Sequence, residues 1–194
     1  KDLVQRLDFL HDWIDNGVPK SFWISGFYFP QGFLTACLQN YARKQSYPID
    51  TVAFSFILLD KTSEELTEKP EDGCYIWGIY FEGARWSAED RSLVDPRPKE
   101  LFSLCPPIHM APVQNRETPE SGIYRCPLYK VLTRTGVLST TGHSTNFVTW
   151  LEIPSNRETI YRSTLVSETN KQGLFCDNAD WVRGGVAAFC ALRF

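Results

Sequence analysis

The chain has 194 residues, 43% hydrophobic, 14% aromatic and 22% charged, and its 20 basic and 23 acidic side chains leave a formal net charge of -3. A chain of this size buries roughly 70% of the surface it exposes when unfolded, enough for one core without metal or disulfide, which argues against intrinsic disorder. The acidic balance argues against a nucleic-acid partner, which calls for a dense basic stripe. No apolar run approaches the ~20 residues needed to span a bilayer, so no membrane partner is expected either.

The sequence opens on Lys1-Asp2-Leu3-Val4-Gln5, with neither an initiator Met nor a basic-then-apolar leader, as expected of a piece of something longer. In residues 3–16 the apolar positions Leu3, Leu7, Leu10 and Ile14, joined by Val4 and Trp13, recur at the spacing of one helical face. Asn16-Gly17 followed by Pro19 ends that helix, since Gly accepts a left-handed cap and Pro cannot continue the bonding. A second helix starts at Pro30-Gln31, with Phe33, Leu34, Cys37, Leu38 and Tyr41 on one face, and stops before Pro48. Residues 21–29 between the helices are too aromatic for a free linker and should pack on something.

After Pro48 the period falls to two. Val52, Phe54, Phe56 and Leu58 alternate with Ala53, Ser55 and Ile57, and residues 75–81 read as a second buried strand. Residues 60–72, with six acidic and two basic side chains plus Pro70, suit a solvated hairpin loop between them. Further strands are expected at 124–133, 146–153, 159–166 and 186–192. The order predicts an α+β fold, in which residues 1–50 form N-terminal helices with an aromatic connector and residues 51–194 form a small antiparallel β-barrel.

Chemistry is harder to find. Residues 134–146 are rich in Gly, Ser and Thr, but His143 follows Gly142 where a phosphate-binding loop needs a lysine, so a hydrogen-bonded turn is expected. Cys126, His143 and Asn146 supply the residue types of a cysteine hydrolase, against the plain reading of Cys126 as a small buried hydrophobe. Cys105 and His109 invite a metal, but a structural site needs four ligands and no second Cys/His cluster accompanies them. Glu82, Glu89 and Asp90 near Trp77 and Trp86 could line a sugar site, against turn carboxylates and packing aromatics. The six cysteines (Cys37, Cys74, Cys105, Cys126, Cys176, Cys190) permit disulfides, yet reduced, buried thiols are expected.

Several blocks, in order, do carry a resemblance. They are Pro19-Lys20-Ser21-Phe22-Trp23-Ile24-Ser25-Gly26-Phe27-Tyr28-Phe29-Pro30-Gln31-Gly32-Phe33-Leu34-Thr35, then Gln39-Asn40-Tyr41-Ala42-Arg43. Residues 71–86, around Tyr75-Ile76-Trp77-Gly78-Ile79-Tyr80-Phe81-Glu82-Gly83-Ala84-Arg85-Trp86, follow. Tyr124-Arg125-Cys126-Pro127-Leu128-Tyr129 and Thr141-Gly142-His143-Ser144-Thr145-Asn146-Phe147-Val148 complete them. The sequence resembles the C-terminal region of dynein heavy chains of the axonemal type.

The resemblance implies a helical lead-in and a β-barrel that cap the AAA+ motor ring of the same heavy chain. It places ATP and magnesium in that ring, and microtubules and other dynein subunits on the parent protein, in the cytoplasm and cytoskeleton, at the axoneme of a cilium or flagellum. No cofactor, metal or catalytic residue is then expected in this segment. Trp13, Phe22, Trp23, Phe27 and Phe29, with the exposed side of the first helix, are the candidate ring contacts; their plain alternative is packing within the domain. The rival is a stand-alone ligand-binding or hydrolytic barrel using Cys126/His143 or the Trp77/Trp86 surface.

The family passes quickly to a closing Trp-Ile-x-Arg-Gly-Val-Ala strand, whereas residues 155–180 intervene here before Trp181-Val182-Arg183-Gly184. They read as an insertion with a strand of its own at the barrel's edge. A variant with this stretch replaced by a short Gly/Ser linker should still unfold cooperatively on heating, because loop-closure cost changes slowly with length. Loss of the cooperative transition would make the stretch an integral part of the sheet.

Overall fold

The computed structural model describes residues 2–117, 122–135, 146–155 and 179–191. Helix α1 (Asp2–Asn16) leads through strand β1 (Ser21–Trp23) and one 3-10 turn (Ile24–Gly26) into helix α2 (Pro30–Gln45). Pro30 starts α2 where its missing N–H costs nothing. Ser46 ends it in a left-handed conformation, φ 57°, with its N–H turned back to the last turn of the helix. Both helices occupy the predicted spans.

Ten more strands follow among the described residues. They are β2 (Val52–Leu58), β3 (Cys74–Trp77), β4 (Tyr80–Glu82), β5 (Arg85–Ser87), β6 (Ser92–Val94), β7 (Phe102–Leu104), β8 (Ile108–Gln114), β9 (Ile123–Tyr129), β10 (Phe147–Pro154) and, after the short helix α3 (Ala179–Arg183), β11 (Ala187–Phe189). A four-stranded sheet runs β1-β3-β8-β2, a five-stranded sheet runs β10-β9-β11-β4-β7, and β5 and β6 form a two-stranded ribbon.

The α+β class therefore holds, but among the described residues no ladder closes these sheets into a barrel. Nor are the sheets purely antiparallel. β1 lies parallel to β3, and β11 parallel to β9. One residue splits an expected strand between the two larger sheets. The expected strand 75–81 breaks at Gly78, whose φ of +83° an L side chain rarely adopts. Its two halves enter different sheets, β3 beside β8 and β4 beside β11.

The acidic loop 60–72 is not a hairpin loop, because β2 and β3 are not neighbours: both pair antiparallel with β8, which lies between them. β8 escaped the sequence reading on account of Pro112. The β3 ladder ends at Met110, so Pro112 faces β2 alone, at a local edge where a missing N–H is tolerated.

One buried cluster spans both larger sheets, joining Ile76, Ile108 and Met110 to Phe81, Cys126, Leu128, Leu151 and Ile153. β11 sits between β9 and β4 with Ala187, Ala188 and Phe189 fully buried. The Tyr124 hydroxyl donates to Val186 O at 2.7 Å, fixing the approach to β11. Residues 156–178, which hold most of the expected insertion, its expected strand at 159–166 and Cys176, lie outside the described residues. Their flanks meet: Trp181 Nε1 donates to Ser155 Oγ at 2.8 Å.

A Cβ added at Gly78 would stand 2.6 Å from Cδ1 of the Trp23 indole, which is itself stacked on Trp77. Gly78→Ala adds this overlap to the left-handed backbone penalty and should cost roughly 2–3 kcal/mol. Thermal unfolding should then fall by about 5–10 °C. An unchanged midpoint would mean that the sheet switch does not depend on this glycine.

Candidate functional site

α1 carries two apolar stripes about 100° apart on the helical wheel, given 3.6 residues per turn. One consists of Phe9 and Trp13, with Arg6; the other consists of Leu3, Leu7 and Ile14. The aromatic stripe faces the domain. Phe9 meets Trp23 edge-on with ring centroids 6.3 Å apart and Phe27 at 5.7 Å, and Trp13 meets Phe22 at 5.2 Å. Phe27 stacks on Phe33 of α2 at 4.2 Å. Gly26 lets the helix come this close, since a Cβ there would stand 2.7 Å from the Phe9 ring.

This packing turns the second stripe outward. Leu3, Leu7 and Ile14 are 57%, 47% and 78% exposed. The sequence places Leu3, Leu7, Ile14 and Trp13 on one helical face; the structure divides them and buries the aromatic edge. An aromatic side chain removes 150–250 Å² from water and gains edge-to-face contacts besides, more than a leucine can offer.

Of the five candidate contacts, Phe22 is buried in the core, and Trp13, Trp23 and Phe27 are half-buried in the aromatic cluster. Phe29 stands apart from them at 67% exposed, beside Tyr28 at 55%. Arg6 joins this corner to α1, its guanidinium lying 5.1 Å from the Tyr28 ring centroid. Arg6 is only 8% exposed, and its Nε finds no hydrogen-bond partner among the described residues. Leu3, Leu7 and Ile14 on one side of α1, and Tyr28 and Phe29 in the connector, are thus left uncovered. The aliphatic part was visible in the sequence as a periodic stripe, but which way it faced was not.

A family model for the C-terminal domain of dynein heavy chains matches residues 1–190. The protein belongs to that family. It is 49% identical over 193 residues to dynein axonemal heavy chain 1 of Rattus norvegicus, a match that takes in 100% of this chain and 4% of the relative. Dynein axonemal heavy chain 12 of Homo sapiens is 41% identical over 191 residues, 98% of this chain and 6% of the relative. Dynein axonemal heavy chain 3 of Mus musculus is 42% identical over 193 residues, 98% of this chain and 4% of the relative. The sequence thus spans a few per cent of the length of these heavy chains.

Several of the other candidate groups of this dynein domain are occupied in holding the fold. Cys126 is fully buried in β9, and burial pushes its thiol well up, the wrong direction for a nucleophile. Asn146 spends its side chain on the turn after β9, accepting from Val131 N at 2.9 Å and donating to Thr133 O at 2.6 Å. His143 and the rest of 136–145 lie outside the described residues.

Cys105 is fully buried with its thiol raised, and His109 Nε2 lies 3.0 Å from Asp72 O. No group of three His, Cys, Asp or Glu side chains that could hold a metal ion occurs among the described residues. Glu82 is ion-paired with Arg134, Asp90 accepts from Ser87 Oγ at 2.7 Å in a turn, and Glu89 is exposed. Trp77 and Trp86 do come together, lining a cleft of about 370 Å³ with Leu104 and Pro106.

Cys126 should stay unlabelled by iodoacetamide in the native protein at neutral pH. Cys126→Ala should cost ~1–2 kcal/mol through the small cavity it leaves. Rapid alkylation of Cys126 in the folded protein would contradict this assignment.

Proposed function

We propose that this protein is the C-terminal cap of an axonemal dynein heavy chain, which packs on the AAA+ ring of that heavy chain and modulates its ATP-driven movement along microtubules. On this reading it works at the axoneme of a cilium or flagellum. ATP and magnesium then belong to the ring, and microtubules and other dynein subunits to the parent protein. The lead-in of residues 1–50 is the docking part, and the sheets of residues 51–194 are the body that holds it in place.

The observation that carries this reading is the uncovered apolar stripe of α1. Leu3, Leu7 and Ile14 point away from the domain although the same helix has a well-packed aromatic edge. Contiguous exposed apolar side chains beside polar ones mark an interaction surface. Burying each of them against a partner contributes roughly 1.5–3 kcal/mol before the costs of association.

A cap can influence a motor only when its contact differs in energy between nucleotide states. Charges placed on the stripe therefore test the reading. Leu7→Glu with Ile14→Glu should leave the thermal midpoint of the isolated domain within about 2 °C of the unaltered one, since both positions are exposed. In the full heavy chain the same pair should change microtubule-gliding velocity or stimulated ATPase rate severalfold. Unaltered motility and ATPase would overturn the assignment of this stripe as the ring contact.

A further inference from the structure

A second feature stands on the other side of the aromatic cluster. Cys37 lies on α2 and Cys74 opens β3, and their sulfurs are 3.7 Å apart. Both line a cleft of about 480 Å³ whose walls include Trp13, Pro19, Phe33, Tyr41 and Lys44. Cys74 is 2% exposed, whereas Cys37 is half-buried and reaches the cleft. Cys105, Cys126 and Cys190 are all buried.

We infer that Cys37 and Cys74 form a reversible two-electron redox site, at which a peroxide converts the paired thiols into a disulfide joining α2 to β3. Contact with Cys74 lowers the Cys37 thiol against the opposing effect of burial. The same contact, with burial, pushes Cys74 up, so Cys37 attacks first and Cys74 resolves. The other described cysteines do not compete, since burial raises each of their thiols, that of Cys190 to about 12.

In the first step the Cys37 thiolate attacks one peroxide oxygen. The S–O bond forms, the O–O bond breaks, and the leaving hydroxide takes up a proton to become water, giving a sulfenic acid. In the second, the Cys74 sulfur attacks the Cys37 sulfur. The S–S bond forms, the S–O bond breaks, and the departing oxygen leaves as a second water with the Cys74 proton. Two thiols lose two electrons and one peroxide becomes two waters; a dithiol reductant reverses the change.

The sulfurs must close by about 1.7 Å to reach bonding distance, which side-chain rotation and a small shift of α2 over β3 can supply. The staple would fix the helical lead-in to the four-stranded sheet. It stands on this cleft alone and does not depend on ring docking.

The test treats the full 194-residue protein, carrying Cys176→Ser so that this cysteine stays out of the readout, with hydrogen peroxide and maps its peptides without reduction. The expected product is a single cross-linked Cys37–Cys74 peptide, about 2 Da lighter than the two thiol peptides together, two thiols lost, and both recovered with dithiothreitol. The oxidised protein should unfold about 5–10 °C higher. Cys74→Ser should leave a sulfenic acid on Cys37 that dimedone traps, and Cys37→Ser should abolish the reaction. Should a variant fail to fold, the unsubstituted thiols still report: Cys37 should react with monobromobimane at least about tenfold faster than Cys105, Cys126 or Cys190. Direct passage of Cys37 to a sulfinic acid, a disulfide with any other cysteine, or equal labelling of the four thiols would overturn the proposal.

Discussion

The packing of the Phe9–Trp13 edge of α1 against Phe22, Trp23 and Phe27 decides the orientation of everything at the N-terminal end. Trp23 stacks in turn on Trp77 of β3, and Phe27 on Phe33 of α2, so one run of rings ties two helices, the connector and a sheet together. Because Gly26 admits the Phe9 ring at close range, α1 is held by its aromatic edge. The aliphatic stripe then has nowhere to point but outward. The exposed stripe follows from the internal packing.

The sheets serve this arrangement as a rigid base. β1, drawn from the connector, adds to the edge of the four-stranded sheet beside β3, which anchors the lead-in by backbone hydrogen bonds as well as by rings. At the other end of the sequence β11 occupies the middle of the five-stranded sheet, between β9 and β4, with all three residues buried. Early and late segments share one core, with Phe22 of β1 and Ala188 of β11 in the same buried cluster.

Helical periodicity and strand alternation made α1, α2 and β2 legible to within a residue or two of their ends, because each has an apolar face long enough to show its period. The three-residue strands β4 to β7 have no period to read. β8 was hidden by Pro112, and the sequence could not show that the neighbouring ladder stops at Met110. The run 75–81 looks continuous because Gly78 interrupts it by conformation while leaving its apolar character intact. At the candidate site the sequence showed the aromatic connector and the periodic helix but not which way their side chains face. Trp13, Phe22, Trp23 and Phe27 entered the cluster, and only Phe29 of the five stayed exposed. The Cys37–Cys74 pair carried no signal at all, since the residues are 37 positions apart and meet only when α2 lies over β3.

The central claim is that the aliphatic stripe of α1 is covered in the complete motor. Hydroxyl-radical footprinting of the isolated domain and of the full heavy chain measures this at the side chains themselves. The account predicts strong labelling of Leu7, Ile14 and Phe29 in the isolated domain and their protection in the heavy chain, with exposed Leu101, just before β7, and Trp150 of β10 as internal references. Equal labelling of Leu7 and Ile14 in the two forms would contradict it.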